Sequence, residues 1–225
     1  MKPAAKREAL DLCIGMAGAF IGLTVLITAV IPLILPLPMV LRMLLLLVTY
    51  WLTALVPLIV MRCRRDSFRA YGIRRRKLPQ QILIGIAIGG ALALLLVMPP
   101  YSLGLGALWD NGCRFGHDLW RYLYELCYKT LAIGAAEEYV FRGFCLTKLR
   151  RICKADVPAI ALSSLLFGLF HLFGGSIVQI ILTAFIGAVL AVCRRKIRYC
   201  SLLSVIIAHG LYDFIISCAA SLTHI

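Results

Sequence analysis

Seven long apolar stretches, separated by short breaks rich in proline, glycine and basic residues, constrain this chain more than any other feature. They run roughly from Leu10 to Leu35, Met39 to Met61, Gln80 to Met98, Leu119 to Leu146, Val157 to Phe173, Ile177 to Cys193 and Ser201 to Leu222. Most reach the roughly 20 residues that a helix needs to cross a hydrocarbon core; the fifth and sixth are shorter. Turn chemistry marks the breaks, at Pro32, Pro36 and Pro38, Pro79, Pro99 and Pro100, Pro158, and Gly174 with Gly175. Lipid offers a bare backbone no hydrogen bonds, so these stretches are expected to be helices. With 62% hydrophobic and 15% charged residues, too little polar surface exists to cover a water-soluble globule, and a disordered chain is excluded as well. The expected fold is all-α, a polytopic membrane bundle of about seven helices. The first stretch follows Lys2, Lys6 and Arg7, but its apolar core is too long for a signal peptide and no small-x-small cleavage site closes it, so it reads as a retained helix.

The 24 Lys and Arg residues outnumber 10 Asp and Glu. In a soluble protein that excess would suggest nucleic acid; their placement points elsewhere. The N-terminal tail, the loop 62–79, the connection holding Lys148, Arg150, Arg151 and Lys154, and that holding Arg194, Arg195, Lys196 and Arg198 together carry 19 of them. The alternate loops carry Arg114, with Arg42 and Arg121 near helix ends. The positive-inside rule then puts the N-terminus in the cytoplasm and, with seven spans, the C-terminus outside. The partners implied are the bilayer and its anionic headgroups, and no nucleic acid.

The nine cysteines form no C-x-x-C pair, and only Cys113 falls in an outer loop, so they read as small hydrophobes rather than a disulfide framework. Gly18/Gly22 and Gly85/Gly89 have the small-x-x-x-small spacing of close helix contacts.

A few ionisable residues interrupt the spans: Glu137, Glu138 and Arg142 in the fourth, His171 in the fifth, His209 and Asp213 in the seventh. Such groups are costly in lipid unless paired or hydrated, which makes them functional candidates. At 1.5 Å per residue from the basic helix ends, Glu137, His171, His209 and Asp213 lie roughly 16, 22, 14 and 20 Å deep, one layer near the midplane of a core about 30 Å thick. Glu138 and Arg142 stand i, i+4 with the acid first, the preferred order for an ion pair. That pairing leaves Glu137, about 100° round the helix, free to act as a base toward water. His209 and Asp213 are also i, i+4. Arg121 and Glu125 read as a partly exposed outer pair, and His117 and His224 as solvated.

Glu137-Glu138-Tyr139-Val140-Phe141-Arg142 resembles the EExxxR motif of the CAAX prenyl endopeptidase and bacteriocin-processing (CPBP, or Abi) family. Phe167 to His171 is similar to its FxxxH motif, and His209 to Asp213 to its HxxxN/D motif. The resemblance covers roughly residues 119–220 and divides the chain into N-terminal membrane helices, 1–118, and a catalytic core, 119–225. It implies a glutamate-dependent intramembrane endopeptidase of a bacterial plasma membrane, acting on a membrane-associated peptide or protein. Glu137 and His171 would activate water, His209 and Asp213 would face the oxyanion, and Glu138, Arg142 and Phe167 would support them. It implies no cofactor. Ionised Asp213 cannot donate a hydrogen bond as asparagine can, so either it stays protonated or it orients His209. Two alternatives remain open at this stage: a non-catalytic immunity or scaffold protein, and a metal-dependent protease using the same two histidines and carboxylates, although no helical H-E-x-x-H is present.

Overall fold

The computed structural model describes residues 3–104, 118–174 and 176–222; Lys2, Cys113, Arg114, His117, Gly175 and His224 lie outside them. Each apolar stretch forms a helical rod, and the described residues contain no strand. The rods are α1 (Ala4–Ile34), α2 (Met39–Cys63), α3 (Leu78–Ser102), α4 (residues 119–153), α5 (Asp156–Phe170), α6 (Ile177–Lys196) and α7 (Leu202–Leu222). Five of them, α1, α2, α3, α6 and α7, are long and apolar enough to cross a membrane. α5 is apolar but only 15 residues long, and α4 carries the charges. The chain is an integral membrane protein.

Several boundaries differ from expectation for local reasons. Pro32 does not end α1, because Leu26–Val30 just before it winds as a π-helix and takes up the irregularity that a missing N–H imposes. Pro79 and Pro158 sit in the first turns of α3 and α5, where that N–H is not needed. α4 continues past Leu146 to Cys153, adding an amphipathic turn that buries Lys148 and Leu149. α2 is interrupted by a turn at Tyr50–Trp51, a few residues before Pro57, which cannot donate to the carbonyl of Thr53.

The small-residue pairs lie where helices touch. A Cβ on Gly22 would sit 2.4 Å from the Leu52 carbonyl oxygen, and one on Gly18 would overlap Val56, so α1 packs directly on α2. Gly85 and Gly89 do the same for α3 against α7, where a Cβ would lie 2.6 and 2.7 Å from the Ser204 and Ala208 carbonyl oxygens. Without a hydrophobic force between helices in lipid, such close backbone approach supplies the packing. The eight described cysteines are all free; Cys145 and Cys200 are buried, but Cys13, Cys63 and Cys127 face outward instead of filling the core.

Ion pairs gather the basic helix ends at one end of the bundle. Lys148, buried in α4, contacts Glu8 and Asp11 of α1 at 2.7 and 2.9 Å, and Asp11 also binds Arg64 at 2.7 Å. Arg151 reaches Glu8 and Asp66 at 3.1 and 3.4 Å. Asp156 joins Arg150 to Arg195, and Arg194 donates to the Tyr71 carbonyl at 2.9 Å. Partial burial opposes ionisation of Asp66, but the Tyr71 hydroxyl, Arg151 and Lys148 outweigh it and hold its carboxyl below the ordinary 3.8. A depressed acid contributes stability above its unfolded value and loses it as pH falls through the folded one.

Two measurements test this packing. Gly89→Val should lower the stability of the detergent-solubilised protein by about 1–3 kcal/mol. Gly90→Val, whose Cβ would meet nothing within 4 Å, should leave the melting temperature unchanged. Lowering the pH below about 4 should shift the melting temperature of the wild type downward by more than that of Asp66→Asn.

Candidate active site

The polar layer is assembled by α4, α5 and α7, with one member from α2. Residues Ala135–Glu138 form a single α-helical turn between two π-helical segments, Tyr128–Gly134 and Tyr139–Cys145. π-turns change which side chains share a face and recur at functional sites. Across from this turn, a Cβ on Gly210 would lie 2.5 Å from the Thr130 Cα. That glycine lets α7 approach α4 closely enough for His209 to reach the acid pair.

Glu138 is fully buried, and its Oε1 accepts from Arg142 at 2.8 Å and from His209 Nδ1 at 2.7 Å. The expected pair with Arg142 is therefore present, and His209 is a second donor to the same oxygen. A charge-assisted bond of this kind is shorter and stronger than a neutral one. The Arg142 guanidinium lies 4.0 Å over the centre of the Phe167 ring. Phe167 in turn meets His171 and His209 edge-on, with ring centres 4.8 and 5.9 Å away. A Cβ at Gly187 of α6 would come within 2.9 Å of Phe167 and 3.1 Å of Arg142, so glycine there leaves room for both.

Glu137 is 2% exposed. Its Oε1 accepts from the Tyr50 hydroxyl, and its Oε2 has no hydrogen-bond partner. That second oxygen stands 3.8 Å from His171 Nε2 and 3.8 Å from His209 Nε2, beyond a direct hydrogen bond but within reach of a bridging molecule. His209 Nε2 is also 3.6 Å from Asp213 Oδ2. Thus Glu137, His171, His209 and Asp213, from three helices, face one point, with Glu138, Arg142 and Phe167 behind them.

The histidine tautomers follow from their partners. His171 Nδ1 is 2.9 Å from the Phe167 carbonyl oxygen; a carbonyl only accepts, so Nδ1 carries a proton and Nε2 is the nitrogen that faces Glu137. His209 Nδ1 faces a carboxylate in the same way, which leaves its Nε2 as the variable position. His171 lies just beyond the fifth helix rather than within it. It is the residue at which α5 stops, with its backbone N–H bonded back to Gly168, so the fifth rod ends at the level of the site. A cleft of about 200 Å³ between Leu23 and Ile27 of α1 and Phe170 and Phe173 reaches Tyr50, Glu137 and His171.

Two features escaped the sequence reading. Tyr50 is uncharged and stands in an apolar run, so a search for ionisable residues passes over it; counting about 12 residues inward from Arg62 puts it in the same layer. Glu125 is 8% exposed rather than part of an exposed pair: it accepts from Ser217 at 2.9 Å and lies 3.8 Å from Lys129, while Arg121 meets Asp118 at 3.0 Å. Among the described residues no three His, Cys, Asp or Glu side chains are grouped to hold a metal ion.

With this geometry in place, the comparisons with known proteins are specific. Residues 119–215 match the family model described as type II CAAX prenyl endopeptidase Rce1-like. The match spans all three motifs and every site residue except Tyr50. No curated protein and no solved structure matches the chain.

The buried pair sets an expectation independent of any activity. Arg142→Ala leaves Glu138 with one donor fewer in a buried site and should cost about 3–5 kcal/mol of stability, read from thermal unfolding in detergent. Glu137→Gln, which preserves shape and removes one charge from a crowded site, should unfold within a few degrees of the wild type.

Proposed function

We propose that this chain, which over residues 119–215 is a member of the Rce1-like type II CAAX prenyl endopeptidase family, is an intramembrane endopeptidase that uses Glu137 as its base. The observation that carries this reading is the partnerless Oε2 of Glu137, held between the Nε2 atoms of His171 and His209.

Two acceptors, Glu137 Oε2 and His171 Nε2, suit the two protons of one water. Its oxygen lone pair is then left for a peptide carbonyl entering by the cleft. As the water attacks, Glu137 takes its proton; when the tetrahedral intermediate collapses, that proton passes to the leaving amine. His209, anchored through Nδ1 to Glu138, presents Nε2–H in its protonated form to the developing oxyanion. Asp213, whose Oδ2 stands 3.6 Å from the same Nε2, attracts the imidazolium electrostatically and holds its orientation, the role open to an ionised acid at this position. The scheme uses no metal. General-base activation contributes about 10²–10⁴-fold, and an oxyanion donor about 10²–10³-fold.

Tyr50 belongs to this site as a positioning residue. Its hydroxyl occupies Glu137 Oε1 and leaves Oε2 as the basic oxygen. The helices of residues 1–118 thus contribute to chemistry centred on 119–225. The cleft is lined by apolar side chains of α1 and α5, which suits a membrane-associated peptide or protein. By the asymmetry of basic residues, the ion-paired end of the bundle lies in the cytoplasm, with the C-terminus outside.

Comparative peptidomics of membranes carrying wild-type or Glu137→Gln protein tests the reading. A peptide product that disappears in the variant, at normal abundance of the protein, is the expected outcome, and His171→Ala should give the same loss. Tyr50→Phe should slow cleavage by about tenfold while binding the same substrate. Unchanged processing by Glu137→Gln would instead identify a non-catalytic membrane protein.

A further inference from the structure

Two groups stand out among the basic residues at the ion-paired end. Arg64, Lys148, Arg150, Arg151 and Arg195 are matched to Glu8, Asp11, Asp66 and Asp156. Those carboxylates are then committed. Arg69, Arg74, Arg75, Arg76, Lys77 and Arg198 meet no carboxylate among the described residues, and all six line one broad cavity of about 1120 Å³. A concentration of uncompensated positive charge on a single concave surface is unfavourable to the folded state by itself.

The cavity is built rather than accidental. Gln81, 1% exposed, donates from Nε2 to the carbonyl oxygens of Arg74 and Arg76 at 3.1 and 2.7 Å, and its Oε1 accepts from the Ser201 hydroxyl. Lys77 and Tyr199 have left-handed backbones, with φ of 63° and 64°. One buried side chain on α3 therefore fixes the run of three arginines and ties it to the start of α7, against Arg198. Guanidinium groups carried on a backbone fixed in this way can take phosphate oxygens bidentately, whereas a lysine offers only a point charge.

The height of the cavity narrows the class of ligand. Arg74 to Lys77 lie within four residues of Leu78, where α3 begins, and Arg198 lies between the end of α6 and the start of α7. In a bilayer spanned by α3, α6 and α7, positions at these helix ends fall at headgroup level. Phe68, Ile73 and Tyr199 on the same lining expose 42%, 40% and 39% of their surface, apolar and aromatic contacts of the kind found at the bilayer interface. We infer that this cavity binds the phosphate-bearing headgroup of an anionic phospholipid in the adjoining leaflet.

The test uses the full chain in detergent micelles, given phosphatidylglycerol or phosphatidylcholine of equal chain length, with native mass spectrometry counting the retained lipid. The wild type should retain phosphatidylglycerol preferentially. Arg74→Gln/Arg75→Gln/Arg76→Gln should lose retention by at least tenfold, given roughly fivefold per basic residue near an anionic surface. Lys6→Gln/Arg7→Gln/Arg65→Gln removes the same charge away from the cavity and should retain the lipid. Equal losses in the two triple variants would overturn the site in favour of diffuse charge. Equal retention of both lipids together with displacement by inorganic phosphate would also overturn it, assigning the cavity to a free phosphate. Should the cavity variant not fold, wild-type protein photo-crosslinked to diazirine-bearing phosphatidylglycerol decides the matter: adducts within residues 66–81 and 196–201 support the site, and adducts confined elsewhere refute it.

Discussion

One carboxylate oxygen organises the centre of this protein. Glu138 Oε1 receives Arg142 from its own helix and His209 from α7, so the charge that α4 carries into the bilayer is balanced and the two helices are registered by the same bond. Water cannot compensate a buried ion here, and leaving either partner alone costs several kcal/mol. The other members of the layer depend on this arrangement. With Nδ1 of His209 committed, Nε2 must face Glu137 and Asp213. With Arg142 committed, its flat face is available to Phe167, whose ring edge-packs on both imidazoles.

The same accounting applies at the ion-paired end, with the opposite outcome. There α1, the segment after α2 and α5 supply four carboxylates to more basic groups than they can satisfy. Lys148 is 1% exposed and takes two close carboxylates, while the arginines that follow Ile73 take none. Placement thus distinguishes charge that holds the bundle together from charge left available to the surroundings.

Much of this was legible from residue order alone. Helix number follows from the length of apolar runs, since lipid forbids a bare backbone. The site layer follows from counting residues inward from the basic ends. Gly18, Gly22, Gly85 and Gly89 lie at helix contacts because only small residues let backbones approach in lipid. What could not be read depends on tertiary contact. Tyr50 becomes notable only when Glu137 stands opposite it, and Asp11 only when Lys148 does, because each looks like an ordinary residue of a helix end or an apolar run. The burial of Glu125 against Ser217 is of the same kind. The π-turns around Ala135–Glu138 were hidden because their sequence contains no proline and reads as ordinary helix.

The early end of α5 has a consequence for how such a chain can vary. The helix begins at Asp156, tied to Arg150 and Arg195, and its last turn delivers His171 to Glu137. Its 15 residues therefore act as a ruler fixed at both ends. Inserting or deleting one residue between those points would rotate the imidazole by about 100° and move it by about 1.5 Å along the axis. Point substitutions on the lipid-facing side of α5, such as at Val157 or Leu165, leave that distance untouched. Drift in composition is therefore cheap along this helix, whereas drift in length is not.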